Sequence, residues 1–284
     1  MLDLSKYTDI SSFQNAYDPQ PNSGKPGKPI NFTKMRDKGV VGVCIRKTLG
    51  KTHDKWFERN WQGAGDAGLK RSVYCVPYVS FDMGPQQVEM TMWPSGGLFD
   101  DVCDFPAWDD VERKHQLPLS TAISRLLPYH YAMIDTFGAA EIYTAKYIWQ
   151  DFYSKKPGWH KDHGLVCANY RPDLYHLPIS TLEAMVAAQE IHPDVPLGWL
   201  YDSSGNQLPS HLRWEQWQIS ADGNGQGPDY GVHSSAIDIS FRQGKTPGEN
   251  GDPMGQLRLA FGHLVLAHNQ ETEMIEAFAE ELAA

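Results

Sequence analysis

Residues 105–112 read Phe-Pro-Ala-Trp-Asp-Asp-Val-Glu, and the rest of the chain is best read outward from them. A Pro-initiated run with aromatic and β-branched residues is the signature of a short strand. Side chains alternate faces along a strand, so Trp108, Asp110 and Glu112 are expected to point one way and Asp109 the other. Two carboxylates then share a face, their stems roughly 6.6 Å apart at a rise of roughly 3.3 Å per residue. At that spacing ionising one opposes ionising the other, and one acid can stay protonated near neutral pH. Cleavage of a glycosidic bond needs that combination: a proton donor for the leaving oxygen, and a second carboxylate to stabilise a cation-like transition state or position a nucleophile. Asp-x-Glu is also common on solvated edges, so the pair needs support from elsewhere in the chain.

On either side of this stretch, strand-like and helix-like patterns alternate. Residues 4–10 form a first strand ending near Asp9, and residues 15–29 are a Pro/Gly/Asn/Lys loop too polar for a core. Asn31 caps a short helix over residues 32–38, closed by Gly39. Strands are expected at 40–47 and 71–81 with a helix at 55–67 between them, and a Met-, Gly- and Pro-rich loop over 82–104 leads into the acidic strand. Residues 118–156 read as mostly helical, because Ala132, Ile134, Ala139, Ile142, Ala145 and Ile148 recur near the helical period. Further strands are expected at 165–170, 197–201, 213–219 and 236–239. Strands alternating with helices imply an α/β fold with a parallel sheet, and this many imply a barrel. In such a barrel functional groups come from the C-terminal ends of several strands. Asp9, Asp110, Glu112 and Asp238 all end strand-like runs, so four acids can meet in one mouth. Each keeps an ordinary alternative: Asp9 could cap a turn through Ser11 or Ser12, and Asp238 could end an edge strand.

Composition narrows the class. At 284 residues, 41% hydrophobic, with 19 Pro and 25 Gly, the chain suits one large domain with long loops, or a domain with an appendage. A formal charge of -10 without a basic cluster excludes a nucleic-acid partner held through its phosphates. The 9 Trp and 13 Tyr supply flat amphipathic faces able to stack on sugar rings. Residues 1–9 lack a basic segment followed by an apolar core, so no secretory signal peptide is expected, and no stretch is apolar for long enough to span a bilayer. Cys44, Cys75, Cys103 and Cys167 are widely spaced and read as free, buried thiols. His160 and His163 have a spacing that metals use, but they follow Pro157-Gly158 with no third ligand nearby. They read as surface histidines, and no metal or cofactor is expected.

With these residues in hand, a resemblance becomes specific. Asp9-Ile-Ser-Ser-Phe-Gln, the run Asn60-Trp-Gln-Gly-Ala-Gly-Asp-Ala-Gly-Leu before Arg71-Ser-Val-Tyr74, the triplet Asp110-Val-Glu112, and Trp217-Gln-Ile-Ser followed by Asp238 resemble the lysozymes of glycoside hydrolase family 25 from about Leu4 to Gly244. The resemblance implies a modified (β/α) TIM-like barrel with long loop insertions. It also implies cleavage of the β-1,4 bond between N-acetylmuramic acid and N-acetylglucosamine in peptidoglycan. Carried over residue by residue, it makes Glu112 the general acid and Asp110 the group that stabilises developing charge or orients the substrate acetamido group. Asp9 and Asp238 match the family's remaining acidic positions. Tyr74 and Tyr170 fall where the family places aromatic substrate contacts, and Trp199 and Trp217 lie near similar positions.

The chain departs from the pattern at several points. Asp109 stands where the family usually has an apolar residue; on the strand reading it faces the helices and needs a partner there. Cys75 stands where members often carry His, and the loops at 15–29 and 117–164 are longer than the family's usual turns. Residues 1–244 are expected to form the catalytic barrel, and residues 245–284 a linker and a C-terminal helical extension outside the resemblance. The acidic end of that extension disfavours a membrane-disrupting helix and leaves packing on the barrel or self-association. Together with the absence of a signal peptide, the resemblance points to a phage endolysin made in the host cytoplasm and acting on the wall. A chitinase-like hydrolase of family 18 would want an acid where Trp108 stands. A catalytically silent carbohydrate-binding barrel, such as a structural virion protein, would have lost one of the four acids.

Overall fold

A computed structural model describes residues 2–15, 27–80, 88, 103–153, 159–201, 205–207, 209, 213–220 and 225–244. Contacts separate the chain into a unit Met1–Thr246 and a unit Pro247–Ala284. The second unit, with the expected linker and C-terminal helix, lies outside the described residues, as does most of the loop over 82–104.

Eight strands close into a ring. They are β1 (Leu4–Ile10), β2 (Val40–Leu49), β4 (Lys70–Val76), β5 (Ala107–Asp110), β6 (Ala140–Thr144), β7 (Leu165–Ala168), β8 (Gln216–Ser220) and β9 (Asp238–Gln243). The two-residue β3 (Thr52–His53) hangs on β2 outside the ring. Within the ring β1, β2, β4, β5, β6, β7 and β8 pair in parallel, whereas β9 runs antiparallel to both β8 and β1. The expected all-parallel barrel is therefore corrected to a mixed one. Between β8 and β9 the described chain has only a short 3-10 turn, Gly227–Tyr230, so no crossover helix brings the last strand back in the same direction.

Local chemistry explains most of the elements. Asn31 Oδ1 accepts the Lys34 backbone N–H at 3.0 Å and starts α1 (Phe32–Asp37) as expected. α2 (Phe57–Asp66) buries Phe57, Trp61 and Ala64. The stretch at 118–156 is not one helix. α3 (Leu119–Phe137) ends at Gly138, whose φ of 80° terminates it, then β6 follows, then α4 (Lys146–Phe152). Buried positions in α3, β6 and α4 together mimic a helical stripe, while Gly138 and the run Ile142-Tyr143-Thr144 carry the strand signal. Residues 197–201, expected as a strand, form a 3-10 turn over Leu197–Leu200. α5 (Ile179–Ala187) lies between β7 and β8.

The end of the barrel at the N-terminal ends of the parallel strands is filled by an ion pair. Arg242 of β9 donates to both carboxylate oxygens of Glu141 at 2.9 and 2.5 Å, and to Gln216 Oε1 at 3.1 Å. All three are buried, and the guanidinium lies against the rings of Tyr7 and Phe105. Gly42 of β2 makes room here, since a Cβ on it would lie 2.3 Å from the Tyr7 ring.

Outside the ring, Asp109 faces α3 as the alternation required, fully buried, and hydrogen-bonds His130 Nδ1; His130 Nε2 in turn lies 3.0 Å from His163 Nδ1. Burial pushes Asp109 well above the usual carboxylate range and His130 down to about 3, disfavouring the charged form of each. His160 is 1% exposed between Trp149 and Trp199, with ring centroids at 4.7 and 4.5 Å, and His163 is half-buried. The reading of His160 and His163 as surface histidines is therefore corrected: their polar loop is folded against aromatic side chains, which cover the imidazoles. The cysteines Cys44, Cys75, Cys103 and Cys167 are free, all but Cys103 fully buried. Asn15, at the head of the polar loop, is also buried, exchanging hydrogen bonds with Asn60.

Candidate active site

The mouth is built at the C-terminal ends of the parallel strands. Asp9 is the penultimate residue of β1, and Asp238 is the first residue of β9; the two stand opposite each other in register. Because β9 is antiparallel, its start, not its end, reaches the mouth. Asp110 is the last residue of β5. There the chain turns: Val111 N–H reaches Asp109 O at 3.0 Å and Tyr143 O at 2.8 Å, and Thr144 Oγ1 donates to Val111 O at 2.8 Å. Glu112 thus lies beyond the end of the strand, exposed at the rim, where it remains the first charge acting on Asp110. A separation calculated from strand rise does not apply to it.

Trp108 forms the floor. It stacks on Tyr143 with ring centroids 5.8 Å apart and lies 6.5 Å from the Tyr74 ring. Above it the polar groups connect. Gln218 Nε2 donates to Asp9 Oδ1 at 3.3 Å, the Tyr143 hydroxyl donates to Gln218 Oε1, and the Tyr170 hydroxyl lies 3.3 Å from that of Tyr143. Arg46 of β2 is the neighbouring cation, already held by Asp54 at 2.8 Å.

Burial dominates the electrostatics. It raises Asp9 to about 7, with Glu112 adding and a hydrogen bond from Asp238 opposing. Asp238 is held well above the usual range by burial and by Asp9, Glu112 and Asp110. Asp110 is raised well above it by burial, then by Glu112 and Asp9, against Arg46 and Arg113. Glu112 is raised as well, by burial against the cleft wall, with Arg113 and Arg46 opposing. Its rim position leaves it open to solvent, so the elevation is that of a surface cleft and not of a core. Four carboxyl groups within one field oppose one another's ionisation. Asp110 Oδ1 is buried with no hydrogen-bond partner among the described residues.

Over residues 8–176 the chain matches the sequence model of the glycosyl hydrolases family 25. It belongs to that family. Family 25 membership makes it a glycoside hydrolase of the lysozyme type, cleaving the β-1,4 bond between N-acetylmuramic acid and N-acetylglucosamine in peptidoglycan. Solved structures share its fold. The bacterial lysozyme from Streptomyces coelicolor is 19% identical, with 88% of this chain and 95% of that one covered at a TM-score of 0.59. A family 25 lysozyme from Aspergillus fumigatus is 20% identical, covering 90% and 98% at 0.59. The catalytic domain of endolysin ply40 from bacteriophage P40 of Listeria monocytogenes is 14% identical, covering 91% and 98% at 0.53. No curated protein matches the chain.

The expected aromatic contacts divide. Tyr74 lies beneath the acids, and Tyr170 stands 39% exposed beside them. Trp199 and Trp217 are 1% and 0% exposed, and their indole N–H groups donate to His163 O and Asn169 O. A ring with no open face cannot stack on a sugar, so these two are corrected to core residues. Sequence reasoning missed Arg46, Tyr143 and Gln218. For Gln218 a signal existed, since it lies inside the quoted Trp217-Gln-Ile-Ser run; for Tyr143 it was hidden in the stretch read as helix. Among the described residues, no helix is long and apolar enough to cross a membrane, and no group of three or more His, Cys, Asp or Glu could hold a metal ion.

Proposed function

We propose that Glu112 is the proton donor of the muramidase reaction. Asp110 stabilises the positive charge that develops at the anomeric centre or holds the acetamido group that attacks it. Asp9 and Asp238 share a proton behind them and tune the field. The observation that carries this reading is the convergence of four carboxyl groups from β1, β5 with its following turn, and β9, with Glu112 alone at the solvent rim where a leaving oxygen can reach it. Tyr170 flanks the bound sugar, and Tyr74 supports the acids from beneath. In the cell the enzyme acts as a phage endolysin, held in the host cytoplasm until the membrane opens.

The test is turbidity loss of purified peptidoglycan with wild type and Glu112→Gln in parallel, with mass spectrometry of the fragments. Fragments with a reducing-end N-acetylmuramic acid, lost in the variant, support the assignment. A folded Glu112→Gln enzyme with full activity overturns it, and a folded wild type inactive on walls from several bacterial types points instead to a silent binding barrel.

A further inference from the structure

On the outer face of the sheet, behind the mouth, lies a polar cluster that the chemistry above does not use. Asp109, the neighbour of Asp110 on β5, is fully buried and hydrogen-bonds His130 Nδ1 of α3. His130 is fully buried too, and its Nε2 continues to His163 Nδ1 at 3.0 Å. His163 follows the 3-10 turn Trp159–Asp162, and Trp199 Nε1 donates to its carbonyl at 3.0 Å. Trp159 packs against both imidazoles, with ring centroids at 5.3 and 5.4 Å. One hydrogen-bonded chain thus ties β5 to α3 and to the segment before β7. It carries a cost, because Asp109 Oδ1 is buried with no hydrogen-bond partner among the described residues. A leucine of similar size would avoid that cost, so stability alone does not account for a carboxyl at this position. What a hydrogen bond adds over an apolar contact is a fixed distance and direction.

The group so fixed is the end of β5. β4 pairs with Trp108 and Asp109 and stops there, which leaves Asp110 held in the ladder by Tyr143 of β6. The turn leading to Glu112 closes on Asp109 as well, since the Val111 backbone N–H donates to Asp109 O at 3.0 Å and to Tyr143 O at 2.8 Å. Asp109 therefore anchors the chain twice, through its side chain to α3 and through its carbonyl to the turn. We propose that Asp109 and His130 are positioning residues of the glycosidase reaction, and that the Asp109–His130–His163 chain sets from behind the sheet the placement of the Asp110 carboxyl and of the turn bearing Glu112. Neither residue touches the substrate. The inference rests on the reading of Glu112 as proton donor with Asp110 assisting. Such placement is worth a large factor in rate, because a shift of about 1 Å made far from the chemistry can cost about 10²-fold.

The experiment is steady-state kinetics on a soluble peptidoglycan fragment, with thermal unfolding of each variant. Asp109→Leu combined with His130→Phe replaces the polar chain by apolar side chains and strands no buried partner on β5 or α3. It is expected to keep or raise the melting temperature, lower kcat about tenfold and leave KM within about twofold, the signature of lost transition-state alignment. Asp109→Asn keeps a group that can donate to or accept from His130, and its kcat should stay within about twofold of wild type. His163→Phe alters only the half-buried outer link and should lower kcat about threefold with little loss of stability. A purely structural role predicts that kcat follows stability. Wild-type kcat in the stable double variant or in His163→Phe overturns the proposal, as does an Asp109→Asn enzyme as slow as the double variant. Failure of the underlying reading shows itself separately, as full activity in Glu112→Gln.

Discussion

The two ends of this barrel bury charge in opposite ways. At the end opposite the mouth Glu141 is bidentate to Arg242, with Gln216 joining the network and the two charges matched. At the mouth Asp9, Asp110, Glu112 and Asp238 crowd together, and Arg46, one of the neighbouring cations, is already engaged by Asp54. Burial is comparable for most of these groups, so the difference lies in pairing. A matched pair holds the strands together and has no proton to give. An unmatched cluster destabilises the fold, and in return it keeps titratable protons where a substrate can take them.

The largest effect that would break this comparison is on catalysis. Glu112→Gln should lower turnover on peptidoglycan about 10²- to 10⁴-fold, the range for losing a general acid, with the melting temperature unchanged or raised. An active variant would show that the mouth's unpaired charge is not used as proposed. At the opposite end the consequence falls on stability. Arg242→Met alone strands Glu141 in the barrel and should cost about 3–5 kcal/mol in urea unfolding, whereas Arg242→Met combined with Glu141→Leu should recover most of it.

A smaller effect sharpens the contrast through pH. Asp9 has a folded-state pKa raised to about 7 from an ordinary value near 4, so its contribution to stability is fully present below about 4 and is lost as pH rises through 7. Asp9→Asn should therefore raise the melting temperature at pH 8 by about 2–4 °C, equivalent to about 1 kcal/mol for a domain of this size, and give no gain at pH 4. Thermal unfolding across that range checks the sign. The smallest effect separates core from site. Trp199→Phe should lose about 1 kcal/mol with the hydrogen bond to His163 O and leave KM unchanged; a raised KM would return Trp199 to the substrate.

Much of the fold was legible because it is local. The strand at 4–10 and the Asn31-capped helix follow from periodicity and capping, which depend on neighbours in the chain. β6 was hidden because buried residues of three successive elements happened to fall near a helical period, although Gly138 marked the break. Asp238 was placed at the mouth on a mistaken premise, as the end of a parallel strand; it arrives there as the start of an antiparallel one. Glu112 reached the rim by a turn and not by alternation. Trp199, Trp217 and His160 were misjudged because composition says nothing of which aromatic face remains uncovered.

By itself the sequence determined which carboxylates sit at the ends of strand-like runs, that Asp109 needs a partner behind the sheet, and the family to which the motifs belong. Only the tertiary structure decided that His130 is that partner, that β9 turns back, and that one buried set of charges is matched while the other is not. Pairing and desolvation join residues such as Glu141 and Arg242 that lie a hundred positions apart, and no local pattern encodes how such groups meet.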